Sequence, residues 1–451
     1  MKNILVLGAG LVARPAVRYL LGQPGLSVSL ADQDIERSRA IIGQNEGGTA
    51  LQADVRDTEA LSRLVAAADI VVSLLPWTLH PLIARLCLEH KKHLVTASYV
   101  KAEMRSLDAA ARARGLLFLN EVGVDPGLDH MAAMQVIDGV HDKGGQVTAF
   151  YSYCGGLPAL KNNNNPLGYK FSWSPEGAVL SAINDGRYLE DGRIIEIPSA
   201  QLFAHYWLKN VPGAGVFEAY VNRDALPYRE RYGIGSVRSI YRGTLRNIGY
   251  CETWDYFKKL GLLNRQMKFD FNEVSPRQMM ANIINTDRED VPEAVADYLH
   301  IPPHSLTIKK LQWLGLFSDY RLPLGLASVF EMFAYLLKKK LVYARGESDL
   351  LVQHHEFEAA YPEGGMERIQ STLIHVGDPD GDTAMSRTVG LPVAIATRLI
   401  AEGNLDLKGV HIPVSRQLYE PVLAELAERG IRFVERRTEI IPKTEKKAVL
   451  S

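Results

Sequence analysis

An apolar run that empties into a Gly-x-Gly-x-x-Ala turn constrains this chain more than anything after it. Residues 1–13 read Met-Lys-Asn-Ile-Leu-Val-Leu-Gly-Ala-Gly-Leu-Val-Ala. Ile4 to Leu7 form a buried parallel strand, and Gly8 lets the chain turn sharply. Gly10 has no Cβ, so a pyrophosphate can approach the backbone. Ala13 is small enough for the following helix to pack close to the strand. The free N–H groups of that helix then face the phosphates, with the helix dipole behind them. The segment therefore predicts a nucleotide site.

A second strand, Leu26 to Ala31, leads to Asp32, roughly 20 residues beyond the glycines, where a carboxylate bonds the ribose hydroxyls of NAD. The same charge repels a 2′-phosphate. Asp32 or Asp34 also suits the cap of a helix from Ile35. Arg37 and Arg39 lie close enough to meet a 2′-phosphate, but the carboxylate favours NAD over NADP. The alternation continues with apolar strands at 49–53, 69–75, 93–96 and 116–120, separated by helical segments. Strands without polar alternation, divided by helices, predict an α/β fold. Its N-terminal part is a doubly wound Rossmann-type parallel sheet covered on both faces. Ligands of such sheets bind beyond the carboxyl ends of the strands. Those ends carry Ser73, Leu75, Pro76, Ala97, Ser98, Tyr99 and Asp125.

The pattern changes after Asp125-Pro-Gly-Leu-Asp-His130. Pro126 suits a first helical turn with Asp125 as its N-cap. A helix follows, then a strand from Gly145 to Tyr153, and Cys154-Gly-Gly-Leu-Pro158 reads as a turn. Later strands are short and alternating, which predicts a second, α+β domain for substrate binding and dimerisation. The expected organisation is a dinucleotide-binding domain over 1–129, a substrate domain over 130–384, and a segment over 385–451 that returns to the first domain. Arg223, and Arg242-Gly-Thr-Leu-Arg246, read as cations beside turns. Arginine holds a carboxylate bidentately, so such residues facing the sheet edge would suit a multiply acidic substrate; ordinary surface ion pairs are the alternative. Trp173 is either core or a stacking platform. His354 and His355 sit in a strand that points one of them outward, which argues against metal ligation.

Lysine and arginine number 51 against 52 acidic residues, so no broad basic face for nucleic acid is expected. Cys87, Cys154 and Cys251 lack metal-ligand spacing and suit a reducing, cytoplasmic setting. No metal is expected. The apolar stretch from Leu322 to Tyr343 contains Glu331 and ends in lysines, so it predicts a buried amphipathic helix and no membrane span. A core strand stands where a signal peptide would.

The combination resembles the saccharopine dehydrogenase family of the L-glutamate-forming type, also called saccharopine reductases. The matching motifs are Gly8-Ala-Gly-Leu-Val12, Ser73-Leu-Leu-Pro76, Val95-Thr-Ala-Ser-Tyr99, Asp125-Pro-Gly-Leu-Asp-His130 and Ser152-Tyr-Cys-Gly-Gly-Leu-Pro158. They continue with Asn165-Pro-Leu-Gly-Tyr-Lys-Phe-Ser-Trp-Ser174, Asn222-Arg223, Arg242-Gly-Thr-Leu-Arg246 and Thr388-Val-Gly-Leu-Pro392. The resemblance implies that saccharopine, NAD(P)+ and water give glutamate, 2-aminoadipate 6-semialdehyde and NAD(P)H. It implies a cofactor lined by Gly10, Leu11, Val12, Ala13, Asp32, Gln33, Asp54, Val55, Leu75, Ala97, Ser98, Val124, Asp125, Pro126 and Trp173. It implies a substrate lined by Ser98, Tyr99, Asp125, Arg223, Thr244, Leu245 and Arg246. Fungal members tend to carry a basic residue after the second strand and use NADP; Asp32-Gln-Asp34 departs from that and supports NAD. Loop 159–164 is this chain's own. Proton transfer is needed at the amine and at water; Asp125 and Tyr99 are the candidates, with ordered water as the alternative. A homodimer is expected. Two further readings share these residues: a carboxylated-polyamine dehydrogenase of the same chemistry, and a dinucleotide-binding redox sensor without turnover.

Overall fold

Residues 1–440 are described by a computed structural model. The first six strands are β1 (Lys2–Leu7), β2 (Leu26–Asp32), β3 (Gly48–Gln52), β4 (Ile70–Ser73), β5 (His93–Thr96) and β6 (Leu117–Leu119). Every one is short and apolar at its centre, and β4 is buried along its whole length. Such strands need cover on both faces, and helices supply it. The helix Ala13–Leu21 follows the glycine turn, as the sequence predicts. The expected helix near 101–114 is instead two short ones, Ala102–Arg105 and Asp108–Ala113.

The chain then builds a second sheet. Its strands are β7 (Gln146–Pro158), β8 (Gly186–Glu190), β9 (Arg193–Ile197), β10 (Tyr206–Val211), β11 (Gly215–Val221), β12 (Ser239–Arg246), β13 (Asp349–Ala360) and β14 (Met366–Val376). Two late strands complete the fold, β15 (Gly409–His411) and β16 (Val434–Glu439). The first sheet is seven-stranded and parallel in the order β15-β6-β5-β4-β1-β2-β3. The second runs β10-β11-β12-β7-β13-β14-β16, with β8 and β9 attached through β12. It is mixed, because β12 pairs with β7 in parallel while β7 and β13 pair antiparallel. The segment after 384 therefore serves both sheets: β15 extends the first and β16 borders the second. Residues 441–451 of that segment lie outside the described residues.

Three local readings of the sequence differ from the structure. Cys154 to Pro158 continue strand β7 and make no turn. Arg242 to Arg246 lie within β12, and only Arg246, its last residue, stands close to a turn. His354 and His355 are both fully buried. The sheet they share is covered on each side: Phe150, Ile240 and Phe357 pack into the core continuous with β1, whereas Tyr153, Tyr241 and Val352 pack into a second, helix-lined core. His355 faces Phe150 and Phe357, and His354 stacks over Tyr153.

The helix Ala384–Glu402 joins the two sheets. Asp349 of β13 accepts the N–H groups of Ala384 (2.6 Å) and Met385 (2.9 Å) and so holds the helix start. Further along, the helix lies against Ala13–Leu21 at Gly390. A Cβ on Gly390 would stand 2.8 Å from the Val12 carbonyl oxygen and 3.1 Å from the Ala16 nitrogen. Only a glycine permits this approach. Gly390→Val is expected to push the helices apart and lower stability by roughly 1–3 kcal/mol, the usual cost of overpacking. Thermal unfolding measures it; an unchanged melting temperature would show that the helices separate freely.

Candidate functional site

The first part of the site is the turn after β1. Gly8 takes a φ of +102°, against the backbone of Leu74 and the side chain of Leu75. The helix that begins at Ala13 has Val12 as its N-cap, with no side chain capping it. The Ala13 N–H is taken by the Gly10 carbonyl (3.1 Å) and Pro15 has none, so the donors left for another acceptor are those of Arg14 and of the turn before the helix. A Cβ placed on Gly10 would meet no atom within 4 Å, and Gly10 and Leu11 are exposed. Open space, uncapped donors and the dipole fit a dinucleotide pyrophosphate.

Asp32, ending β2, accepts from the Ala9 N–H of this turn (2.7 Å) and from the Asp34 N–H (2.9 Å). The cap of the next helix is Asp34, whose carboxylate accepts from the Glu36 N–H. Asp32 is thus left to the turn. Gln33 follows it, and its carbonyl accepts from the Gln52 side chain (3.3 Å). Asp54 and half-buried Val55 follow β3; Arg56 binds the Asp54 carboxylate at 3.0 Å and pulls its pKa down to about 2. Arg37 pairs with Asp34 (3.2 Å) and Arg39 with Glu36.

The second part lies beyond β5 and β6. Asp125 does not cap a helix. The helix runs Leu128–His141 with Gly127 before it, and Gly127 at φ +146° presses on the Gly123 backbone so closely that a Cβ would lie 2.2 Å from the Gly123 oxygen. Its N–H donates to Asp129 (2.6 Å). Pro126 and the buried Val124 shape this turn, and Ala97 packs against Gly123. The Asp125 carboxylate is free for side chains. It accepts from the Tyr99 hydroxyl (2.8 Å), from Arg242 Nη2 (2.5 Å) and from the Asn222 amide (3.1 Å).

Arg242 also donates to Asp129 (2.6 Å) and is only 2% exposed. One guanidinium from β12 therefore bridges two carboxylates on the first sheet's edge. Burial raises the Asp125 carboxyl above its ordinary range, against the pull of Arg242. Burial also lifts the Tyr99 phenol well above its usual value, so its proton stays on oxygen and points at Asp125. Behind them, buried Glu121 accepts from the Val100 N–H (2.9 Å), the Tyr228 hydroxyl (3.0 Å) and His130 Nε2 (2.8 Å). It fixes the backbone next to Tyr99.

Asn222, Asp129 and Glu121 were not singled out as site residues from the sequence, which offered Arg242 only as a cation for substrate. Arg242 and Asp129 stand inside motifs that were singled out, and only the pairing of β12 with β7 shows which side chains meet. Removing one member of a buried ion cluster leaves uncompensated charge and typically costs about 3–5 kcal/mol. Arg242→Leu is expected to lower the unfolding free energy by that amount and Arg242→Lys by less. Calorimetry of the two variants checks it, and a wild-type profile for Arg242→Leu would mean that the cluster is solvated.

The third part is the remaining arginines. Arg223, at φ +60° after β11, holds its guanidinium 5.0 Å from the centre of the Tyr99 ring. Arg246 is 6% exposed and lies over Tyr169 (4.8 Å) and Tyr250 (5.3 Å). It donates to the Leu245 carbonyl, its Nε has no partner, and no carboxylate lies within ion-pair distance among the described residues. Thr244 lies between Arg242 and Arg246 on one face of β12, which sets the two arginines roughly 13 Å apart along the strand. Leu245 alternates to the other face, and its side chain belongs to the second core. Trp173 is half-buried and packs against both cores at their junction.

Residues 4–119 match the family described as "Saccharopine dehydrogenase NADP binding domain", and residues 123–431 match "Saccharopine dehydrogenase C-terminal domain". A relative from Pyricularia oryzae, named saccharopine dehydrogenase [NADP(+), L-glutamate-forming], is 34% identical over 96% of this chain and 99% of its own. The mitochondrial alpha-aminoadipic semialdehyde synthase of Rattus norvegicus is 34% identical over 96% of this chain but 47% of its own, so the chain spans about half the length of that relative. Among solved structures, the apo saccharopine dehydrogenase (L-Glu forming) of Saccharomyces cerevisiae aligns with a TM-score of 0.88 at 31% identity, over 97% of this chain and all of that one. With a parallel dinucleotide-binding sheet joined to a mixed second sheet, and with matches that run nearly end to end, the chain belongs to the saccharopine dehydrogenase family.

Proposed function

We propose that the chain is a saccharopine dehydrogenase of the L-glutamate-forming type, which converts saccharopine, NAD+ and water into glutamate, 2-aminoadipate 6-semialdehyde and NADH. The observation that carries this reading is Arg246, a buried guanidinium without a protein carboxylate among the described residues. A cation taken from water needs an anion, and saccharopine brings three carboxylates. Arg223 supplies a second cation beside Tyr99. A carboxylated polyamine would instead ask for acids around its amine tail.

The nicotinamide, when bound, supplies the hydride acceptor for the carbon beside the substrate amine. Gly10, Leu11 and Val12 offer backbone to the pyrophosphate, and Asp32, which already holds the Ala9 N–H, binds the ribose. With Arg37 and Arg39 each paired to an acid on their own helix, Asp32 favours NAD, although the fungal relatives carry NADP(+) in their names. Tyr99 donates to Asp125 and keeps its own proton. Asp125, raised by burial, takes the proton released at the amine or at water. The same reading has the enzyme acting in the cytoplasm as a homodimer, with buried free cysteines suited to a reducing compartment.

Purified protein with saccharopine is expected to reduce NAD+ with a higher kcat/KM than NADP+, and Asp32→Ala narrows the ratio. Arg246→Ala raises the KM for saccharopine by the equivalent of roughly 2–5 kcal/mol, and lysine restores only part, because it lacks the fork. Dinucleotide binding without reduction by saccharopine would favour the sensor, and turnover of carboxynorspermidine alone would favour the polyamine enzyme. Asp125→Asn is expected to lower kcat roughly 10²–10⁴-fold and to remove one limb of its pH profile. A wild-type profile would assign the proton to bound water.

A further inference from the structure

A closed set of hydroxyls surrounds one imidazole at the carboxyl ends of β4 and β5. His80, the first residue of the helix His80–His90, is 4% exposed. Its Nδ1 lies 3.0 Å from the Ser73 hydroxyl at the end of β4. Its Nε2 lies 2.9 Å from Ser98 Oγ and 2.9 Å from Thr96 Oγ1, beyond and at the end of β5. Thr96 Oγ1 also accepts from the Ser98 N–H at 3.3 Å. Ser73 and Thr96 are buried, and among the described residues no carboxylate touches the ring. His80 itself also borders a cavity of about 230 Å³ that Tyr99, Trp77, Lys101 and Asn120 line. A neutral imidazole has one N–H and one lone pair for three hydroxyls, so its tautomer sets which way the Ser98 proton points.

We propose that His80 is a positioning residue that aims the Ser98 hydroxyl at the ligands of the site. The inference rests on the reading of Ser98 as lining both cofactor and substrate. Burial holds the ring well below its ordinary pKa, at about 4, so it remains neutral in its cage. A hydroxyl held on one side by a buried, fully bonded ring is pre-organised, and loss of such placement commonly costs roughly 10- to 100-fold.

Glutamine and asparagine separate the roles of the two ring nitrogens. In place of the imidazole, a glutamine amide reaches the position of Nε2, whereas an asparagine amide reaches only that of Nδ1. His80→Asn is expected to weaken NADH binding, read by fluorescence titration, and to lower kcat/KM for saccharopine by about tenfold or more. His80→Gln restores most of both. In the double variant His80→Asn/Ser98→Ala, losses equal to those of Ser98→Ala alone support the proposal, because the two residues then act as one unit. Additive losses overturn it, as does wild-type NADH binding and turnover in His80→Asn. Melting temperatures of all variants accompany these measurements, and His80→Gln carries the test if His80→Asn does not fold. If the wild type binds NADH but ignores saccharopine, the functional reading has failed, and the NADH arm of the cycle still decides the role of His80.

Discussion

The guanidinium of Arg242 is the contact on which the candidate site depends. It leaves a strand of the second sheet, enters the edge of the first, and joins Asp125 to Asp129 in a place nearly closed to water. Burying such charges is expensive, and their attraction offsets the cost only with good geometry and further hydrogen bonds. Tyr99, Asn222 and the Gly127 N–H supply such bonds to the two carboxylates, while Arg242 makes its contacts through Nη2 alone. The arrangement therefore tolerates little relative movement of the two sheets. It places Tyr99 and Arg223, which come from different sheets, within 5.0 Å of each other.

A parallel sheet and its glycine turn are written in short-range pattern, so both were legible. Apolar strands with helices between them admit few other folds, and Gly8, Gly10 and Asp32 stand where backbone geometry requires them. Asp125 was legible as a candidate, but its local reading as a helix cap was not correct. Gly127 starts the helix, and the carboxylate serves partners about 100 residues away in sequence, Asn222 and Arg242. Such partners follow from strand register, which no local signal encodes.

The misread turn at Cys154 has a different cause. Gly155 and Gly156 stand inside a strand because neighbours approach it. A Cβ on Gly155 would lie 2.8 Å from that of Leu245, and one on Gly156 would lie 2.4 Å from the Met385 methyl. In sequence, glycines that make room look like glycines that turn. The paired histidines misled for a related reason: alternation predicts one exposed face only where a face is exposed, and β13 has none.

The late return of the chain to the first sheet has a consequence for its synthesis. β15 closes the edge beside β6 only at Gly409–His411, and the helix Ala384–Glu402 braces the glycine turn from nearly 380 residues downstream. Contacts so distant in sequence form late. On the ribosome, the N-terminal sheet emerges first with one edge strand and one supporting helix missing. The nucleotide cradle thus reaches its finished form only when the chain has been made as far as His411, so a product truncated before Ala384 retains the fingerprint residues without the support that holds them in place.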